Sequence, residues 1–276
     1  MLELAVNFFL SGFVYPGILW NQVLLSIGLG LAFGAVWFAP YWTPILKKPW
    51  AWAVLAGSAF LTWAAVAFIQ IPLQQVAGNF LVGQLGMETY QSLILLVGIP
   101  GILLTGLVQE GAKLVPVVVC WWRKGRKIDP KLGLAIGAVA GLGLGLLEAV
   151  WAHNNTFVLG WGWEAVQSGG LVALAPFWER FFTIAAHIAF SALAGWGLAK
   201  GWGWQFYLIA AVLHAFLNYS VVLLYAGYFT VVALEIQTAV IAAVVTAVAL
   251  WLRWGEPSEP AVSETSPAQT SDAEPV

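Results

Sequence analysis

The sequence predicts an all-α fold, a polytopic transmembrane helical bundle of about seven spans, and three observations lead to it. Of its 276 residues, 61% are hydrophobic and only 9% charged, with a mean hydropathy of +0.85. Soluble domains carry about 25% charged residues, so a chain this apolar cannot cover its own surface and needs lipid to do it. Apolar runs of about 20 residues, the length that crosses a hydrocarbon core of ~30 Å, recur along it. Between them, basic residues gather in short clusters at alternate connections.

The runs fall at about 18–39, 51–71, 91–122, 131–152, 177–199, 204–226 and 229–252. They are long and continuous, without the alternation of a barrel strand. The third is too long for one perpendicular crossing, so Ile99-Pro100-Gly101 is expected to kink it or to set off a short lead-in. Residues 1–254 thus form one transmembrane domain, and 255–276 (GEPSEPAVSETSPAQTSDAEPV) read as a disordered acidic tail. The longest connections, about 72–90 and 153–176, carry Gly, Gln and Asn and are expected to be loops on one face. The start, MLELAVNFFLSGF, has Glu3 where a signal peptide carries Lys or Arg, so no cleavable signal is read there. No internal repeat is visible. Cys120, the single cysteine, excludes an internal disulfide. A net charge of -2, with no basic face, argues against nucleic acid as a partner.

Lys47 and Lys48 follow the first run, and Arg123, Lys124, Arg126, Lys127 and Lys131 surround the third-to-fourth connection. Lys200 follows the fifth and Arg253 the seventh. Simple alternation puts all of them on one side, which the positive-inside rule makes cytoplasmic. The N-terminus is then outside and the tail inside. Trp50, Trp121, Trp122, Trp202, Trp204 and Trp254 mark the inner ends, and Trp151, Trp161, Trp163 and Trp178 the outer ones.

Two basic residues, Lys113 and Arg180, lie inside apolar runs, as do Glu110, Glu148, Glu179, Glu235, His187 and His214. A charge at the bilayer centre costs at least ~2.5–3.5 kcal/mol, so these groups must face a protein or water-lined interior. Glu110 and Lys113 are i,i+3 and share a helix face, as do His214 and Asn218 at i,i+4 and Arg180 and His187 two turns apart. Counted at 1.5 Å per residue from the cytoplasmic ends, Glu110 lies at roughly 18 Å, His187 at roughly 20 Å and His214 at roughly 15 Å, with Asn218 near ~21 Å and Glu148 near ~25 Å. Four helices therefore bring polar groups to a common depth, where they could line one cavity. Gly133, Gly137, Gly141 and Gly145 form a small-residue ridge on the fourth run, along which another helix can approach closely. Each feature has a plainer reading as well: a structural ion pair, interhelical hydrogen bonds, His153 at the outer interface beside Asn154 and Asn155, Glu179 snorkelling outward.

These residues resemble a known pattern. Glu110-Gly-Ala-Lys113, Gly-Leu-Leu-Glu148-Ala-Val, Arg180…His187 and Leu-His214-Ala-Phe-Leu-Asn218 look like the motif series of the PrsW intramembrane proteases, a family distantly similar to the CAAX prenyl endopeptidase and Abi group. The resemblance covers about residues 91–226. It implies hydrolysis of a peptide bond within or near the outer leaflet, in a multi-pass protein of a bacterial plasma membrane. The substrate would be a membrane-anchored protein, such as an anti-sigma factor or another single-pass regulator. Carried over by position, Glu110, Glu148, His187 and His214 are the catalytic candidates, with Lys113, Asn218, Arg180 and Gln109 in support. Gln109 is a departure, because the family pattern has a glutamate there and an amide cannot accept a proton in its place. Either Glu110 or Glu148 then serves as base, or the chain is an inactive member that binds membrane proteins.

The groups themselves leave the mechanism open. Peptide hydrolysis needs a water, a base and donors for the oxyanion, and Glu, His and Asn in one cavity supply those. His187, His214 and Glu148 are also candidate ligands for a metal, zinc above all, since two His and one Glu form a catalytic zinc set. No His-Glu-x-x-His sequence is present to mark such a site locally. A proton-coupled transporter would use the same residue types, although no repeated half supports it. The topology expectation is checked by cysteine labelling of Ala165→Cys in a Cys120→Ser background. Labelling from the outside is expected, and labelling only from the cytoplasmic side would overturn the orientation.

Overall fold

The computed structural model describes residues 2–41 and 44–255 of the chain; the segment expected to be a disordered tail lies, from residue 256 on, outside them. Among the described residues there are helices and no strands. They are α1 (Leu2–Ser11), α2 (Trp20–Phe38), α3 (Pro49–Ala65), α4 (Ile71–Leu85), α5 (Met87–Ser92), α6 (Ile94–Arg123), α7 (Pro130–Val158), α8 (Trp163–Gly169), α9 (Ala175–Ala199), α10 (Gly203–Tyr225) and α11 (Val231–Gly255). Seven helical segments are long and apolar enough to cross a membrane: Trp20–Tyr41, Pro49–Leu85, Ile94–Arg123, Pro130–Val158, Trp163–Ala199, Gly203–Tyr225 and Val231–Gly255. The chain is a multi-pass membrane protein.

Local chemistry sets the boundaries. Asp129 caps α7 by accepting a hydrogen bond from Leu132 N–H at 3.0 Å, with Pro130 at the first helical position where its missing N–H costs nothing. Gly86 (φ +77°) closes α4, and Gly201 (φ +85°) lets the chain reverse between α9 and α10.

Two helices form the centre. α7 is buried without interruption from Gly133 to Gly145, and α9 from Thr183 to Gly197, so these segments meet protein on every side. The glycine ridge explains how closely they pack. A Cβ on Gly137 would lie 2.0 Å from the Ser191 carbonyl oxygen, and one on Gly141 would lie 2.1 Å from that of His187. Gly195 answers from α9, where a Cβ would fall 2.3 Å from the Gly133 carbonyl oxygen. Moving four residues forward on α7 moves four back on α9, the signature of antiparallel helices in backbone contact. The remaining spans surround this pair. α6 and α10 make a similar close approach, with the Gly106 Cβ position 2.0 Å from the Ala211 carbonyl oxygen.

Several boundaries differ from expectation. The region 72–90, expected to be a loop, is helix α4 followed by α5, and α3 runs into α4 through a π-helical turn at Val66–Gln70. Pro72 is tolerated because the wider turn has already shifted the ladder, Ile71 N–H reaching back five residues to Val66 O. The polar residues that looked like loop face α6 instead: Gln74 Nε2 donates to Gly101 O at 2.8 Å and to Thr105 Oγ1 at 2.9 Å. Pro100 does not divide the third run; the lead-in ends at Leu93, and α6 holds both Pro100 and Pro116. In the other expected loop, α7 continues to Val158 and α8 occupies Trp163–Gly169. His153, on α7, is fully buried, with its ring stacked on Phe177 at 5.3 Å. α1 packs over the ends of α3 and α7, where Trp63 Nε1 donates to Phe9 O at 3.0 Å and Tyr15 O–H to Asn155 Oδ1 at 2.6 Å.

Gly141→Ala is expected to lower stability in detergent by about 1–3 kcal/mol or more, because its methyl meets backbone that cannot rotate away. Gly28→Ala, with nothing within 4 Å of the new Cβ, is expected to change it little. Thermal unfolding of the two variants checks this; equal melting temperatures would show that the ridge is not a tight contact.

Candidate functional site

The register that joins α7 to α9 also assembles the polar cluster. With Gly141 against His187, two further turns along α7 reach Glu148 while two turns back along α9 reach Arg180. These two meet at 3.1 Å, Arg180 NH1 to Glu148 Oε1. The other Glu148 oxygen, Oε2, lies 2.7 Å from His187 Nε2. Arg180 also pairs with Glu179.

α6 and α10 supply the second half. Glu110 Oε1 receives Lys113 Nζ at 2.5 Å and lies 2.6 Å from His214 Nδ1. Lys113 Nζ is also 3.2 Å from His187 Nδ1, which links the two halves. The His187 and His214 rings meet edge to face at 5.2 Å. The result is a continuous chain, His214–Glu110–Lys113–His187–Glu148–Arg180–Glu179, built from α10, α6, α9 and α7.

The two carboxylates have different surroundings. Glu110 and Lys113 are completely buried, and Glu110 Oε2 has no hydrogen-bond partner among the described residues. Glu148 keeps 28% of its side chain exposed. It lines a cavity with Arg180, Thr183, His187, His214 and Asn218 that leaves about 20 Å³ for the centre of a water molecule, room for a single one. Glu110 is not in the cavity wall.

Most of the expected residues converge here. Glu110, Glu148, His187 and His214 come together, and Lys113 and Arg180 are the cations that hold them. Asn218 reaches the cavity wall. Gln109 faces away from the cluster, its Nε2 donating to Gln70 Oε1 at 3.1 Å. Glu235, near the start of α11, lines an apolar groove with Trp178 rather than joining the chain. Sequence reading missed Gln70 and Gln74, which carry the polar ladder beside Gln109. Their i,i+4 spacing was the available signal, since it places both on one face of a continuing helix.

The arrangement fits a metal in its donor chemistry. One ligand-capable atom from each of Glu110, His187 and His214 lies within 4.8 Å of the other two, all three residues are buried, and Glu110 has an oxygen to spare. Two imidazoles and a carboxylate are a catalytic zinc set. The carboxylate that gathers with both imidazoles is Glu110, while Glu148 holds the far nitrogen of His187, the usual place for a supporting carboxylate.

The sequence model of one protein family, described as PrsW family intramembrane metalloprotease, matches residues 48–251. No curated protein and no solved structure matches.

Gln109→Leu removes the donor to Gln70 inside the bundle and is expected to cost about 1–3 kcal/mol of stability. The double change Gln70→Leu with Gln109→Leu is expected to cost less than the two single changes added together, as both partners of the bond then leave. Strict additivity in thermal unfolding would show that the two amides are not coupled.

Proposed function

Because the chain belongs to the PrsW family of intramembrane metalloproteases, we propose that it hydrolyses a peptide bond of a membrane-anchored protein at the cluster shared by α6, α7, α9 and α10. The observation that carries this reading is the convergence of Glu110, His187 and His214 within 4.8 Å inside membrane-spanning helices, beside a water-sized cavity. Structural ion pairing does not require two imidazoles and a spare carboxylate oxygen at ligand spacing.

Glu110, His187 and His214 would hold the metal, which when bound polarises a carbonyl oxygen and makes a water more acidic. The remaining steps belong to the chain. Glu148 is the carboxylate that faces the cavity, so it accepts the proton of the attacking water and returns it to the leaving amine. Its two oxygens are aimed by Arg180 and by the Nε2–H of His187. Asn218, in the cavity wall, supplies an amide donor for the developing oxyanion. A glutamine at position 109 is compatible with this chemistry, because that side chain bonds to Gln70 outside the cluster. The substrate reaches the cavity from the membrane. A single-pass regulator such as an anti-sigma factor, in a bacterial plasma membrane, fits that route.

The two glutamates are expected to fail differently. Glu148→Gln is expected to lower turnover of a membrane-anchored substrate by roughly 10²-fold or more while zinc stays bound. Glu110→Gln, His187→Ala and His214→Ala are expected to lose turnover and zinc together. Metal content and proteolysis measured on the same detergent preparations check this. Near-wild-type turnover in all four variants would make the cluster purely structural.

A further inference from the structure

Lys113 stands where a cation is wanted. Its ammonium is fully buried, 2.5 Å from Glu110 Oε1 and 3.2 Å from His187 Nδ1. Those two residues, with His214, are the ones whose ligand atoms gather within 4.8 Å. An ammonium has three donors and no acceptor, so at His187 Nδ1 it engages the lone pair that a metal ion would take, and at Glu110 it holds one oxygen of the carboxylate whose other oxygen is free.

The contact with His187 carries further information. For Nζ to donate to Nδ1, that nitrogen must present a lone pair, so the ring proton sits on Nε2, where Glu148 Oε2 accepts it at 2.7 Å. This is the tautomer that coordination through Nδ1 requires. Lys113 and Glu148 together hold the imidazole ready for a metal. The ammonium also neutralises Glu110, which would otherwise be a buried carboxylate without a counter-charge.

We infer that Lys113 is a resident counter-cation of the metal site, keeping Glu110 and His187 in place while the site lacks metal and competing with an incoming ion for them. The inference rests on the reading that Glu110, His187 and His214 hold metal. An ammonium and a divalent ion cannot share the Glu110–His187 gap in a poorly solvated interior, so one cation replaces the other. The protein is therefore able to fold and insert before metal arrives.

The test titrates zinc ion alone, at fixed pH, into chelator-stripped full-length protein in detergent, read by competition with a fluorescent chelator and by thermal unfolding. Lys113→Met, similar in length but uncharged, is expected to bind zinc at least about tenfold more tightly than wild type. It is expected to melt lower than wild type with chelator and to recover with zinc. Lys113→Arg, which keeps the cation, is expected to bind no more tightly than wild type. A Lys113→Met protein with unchanged or weaker zinc affinity, or one that zinc fails to restore, would overturn the counter-cation role while leaving the metal reading intact. If neither wild type nor Lys113→Met bound zinc, the metal reading would fall and the inference with it.

Discussion

The site depends on the backbone contact between α7 and α9. Gly133, Gly137 and Gly141 let carbonyl oxygens of one helix sit where side chains would normally stand on the other. Lipid offers no hydrophobic force to press two apolar helices together, so close packing and its dispersion energy have to do so. Contact at this distance also fixes register, because a slip of one residue would drive a Cβ into backbone. The register sets Glu148 against both Arg180 and His187 of α9. The same glycines that make α7 look like a packing helix are thus what aim its one carboxylate.

Charge imposes the second constraint. Glu110, Lys113, Glu148, Glu179 and Arg180 would together cost roughly 12–18 kcal/mol if each lay unpaired near the bilayer centre. That equals or exceeds the about 5–15 kcal/mol by which a typical fold is stable. The chain resolves this by never leaving one of them alone: Lys113 serves Glu110, and Arg180 serves both Glu148 and Glu179. His187 and His214 join the pairs instead of adding isolated polar groups, each placing a ring nitrogen on a carboxylate. The polar ladder of Gln70, Gln74, Thr105 and Gln109 follows the same logic without charge, directing its amides to one another and to the Gly101 carbonyl.

Much of this was legible in the sequence, for reasons that also explain what was not. Span number follows from hydropathy, and depth follows from the fixed rise of a helix, so residue counting alone places Glu110, Glu148, His187 and His214 within roughly 10 Å of one another in depth. The glycine ridge showed that α7 packs closely, but not that α9 is its partner, since spacing on one helix says nothing about which neighbour fills it. Hydropathy fails where polar residues are satisfied by other helices. Gln74 read as part of a loop because its partners on α6, Gly101 and Thr105, are distant in sequence. The direction of Gln109 was hidden for a related reason: adjacent residues on a helix point about 100° apart, so the neighbour of a site residue can belong to a different interface.

The same difference in direction separates the two carboxylates. A group that takes a proton from water must touch water, and a group that binds a metal tightly gains from being dry. Glu148, at the wall of the cavity and partly exposed, meets the first condition. Glu110, fully buried with one oxygen unengaged, meets the second. On the proposed reading the roles of the two residues follow from where the bundle admits water, since their chemistry is identical. His187 stands between them, one ring nitrogen on Glu148 and the other on the Lys113 ammonium that pairs with Glu110, so the two carboxylates are linked through Lys113 and one rigid ring. That coupling makes four helices one site, and it exists only because Gly141 allows the His187 backbone to come so near.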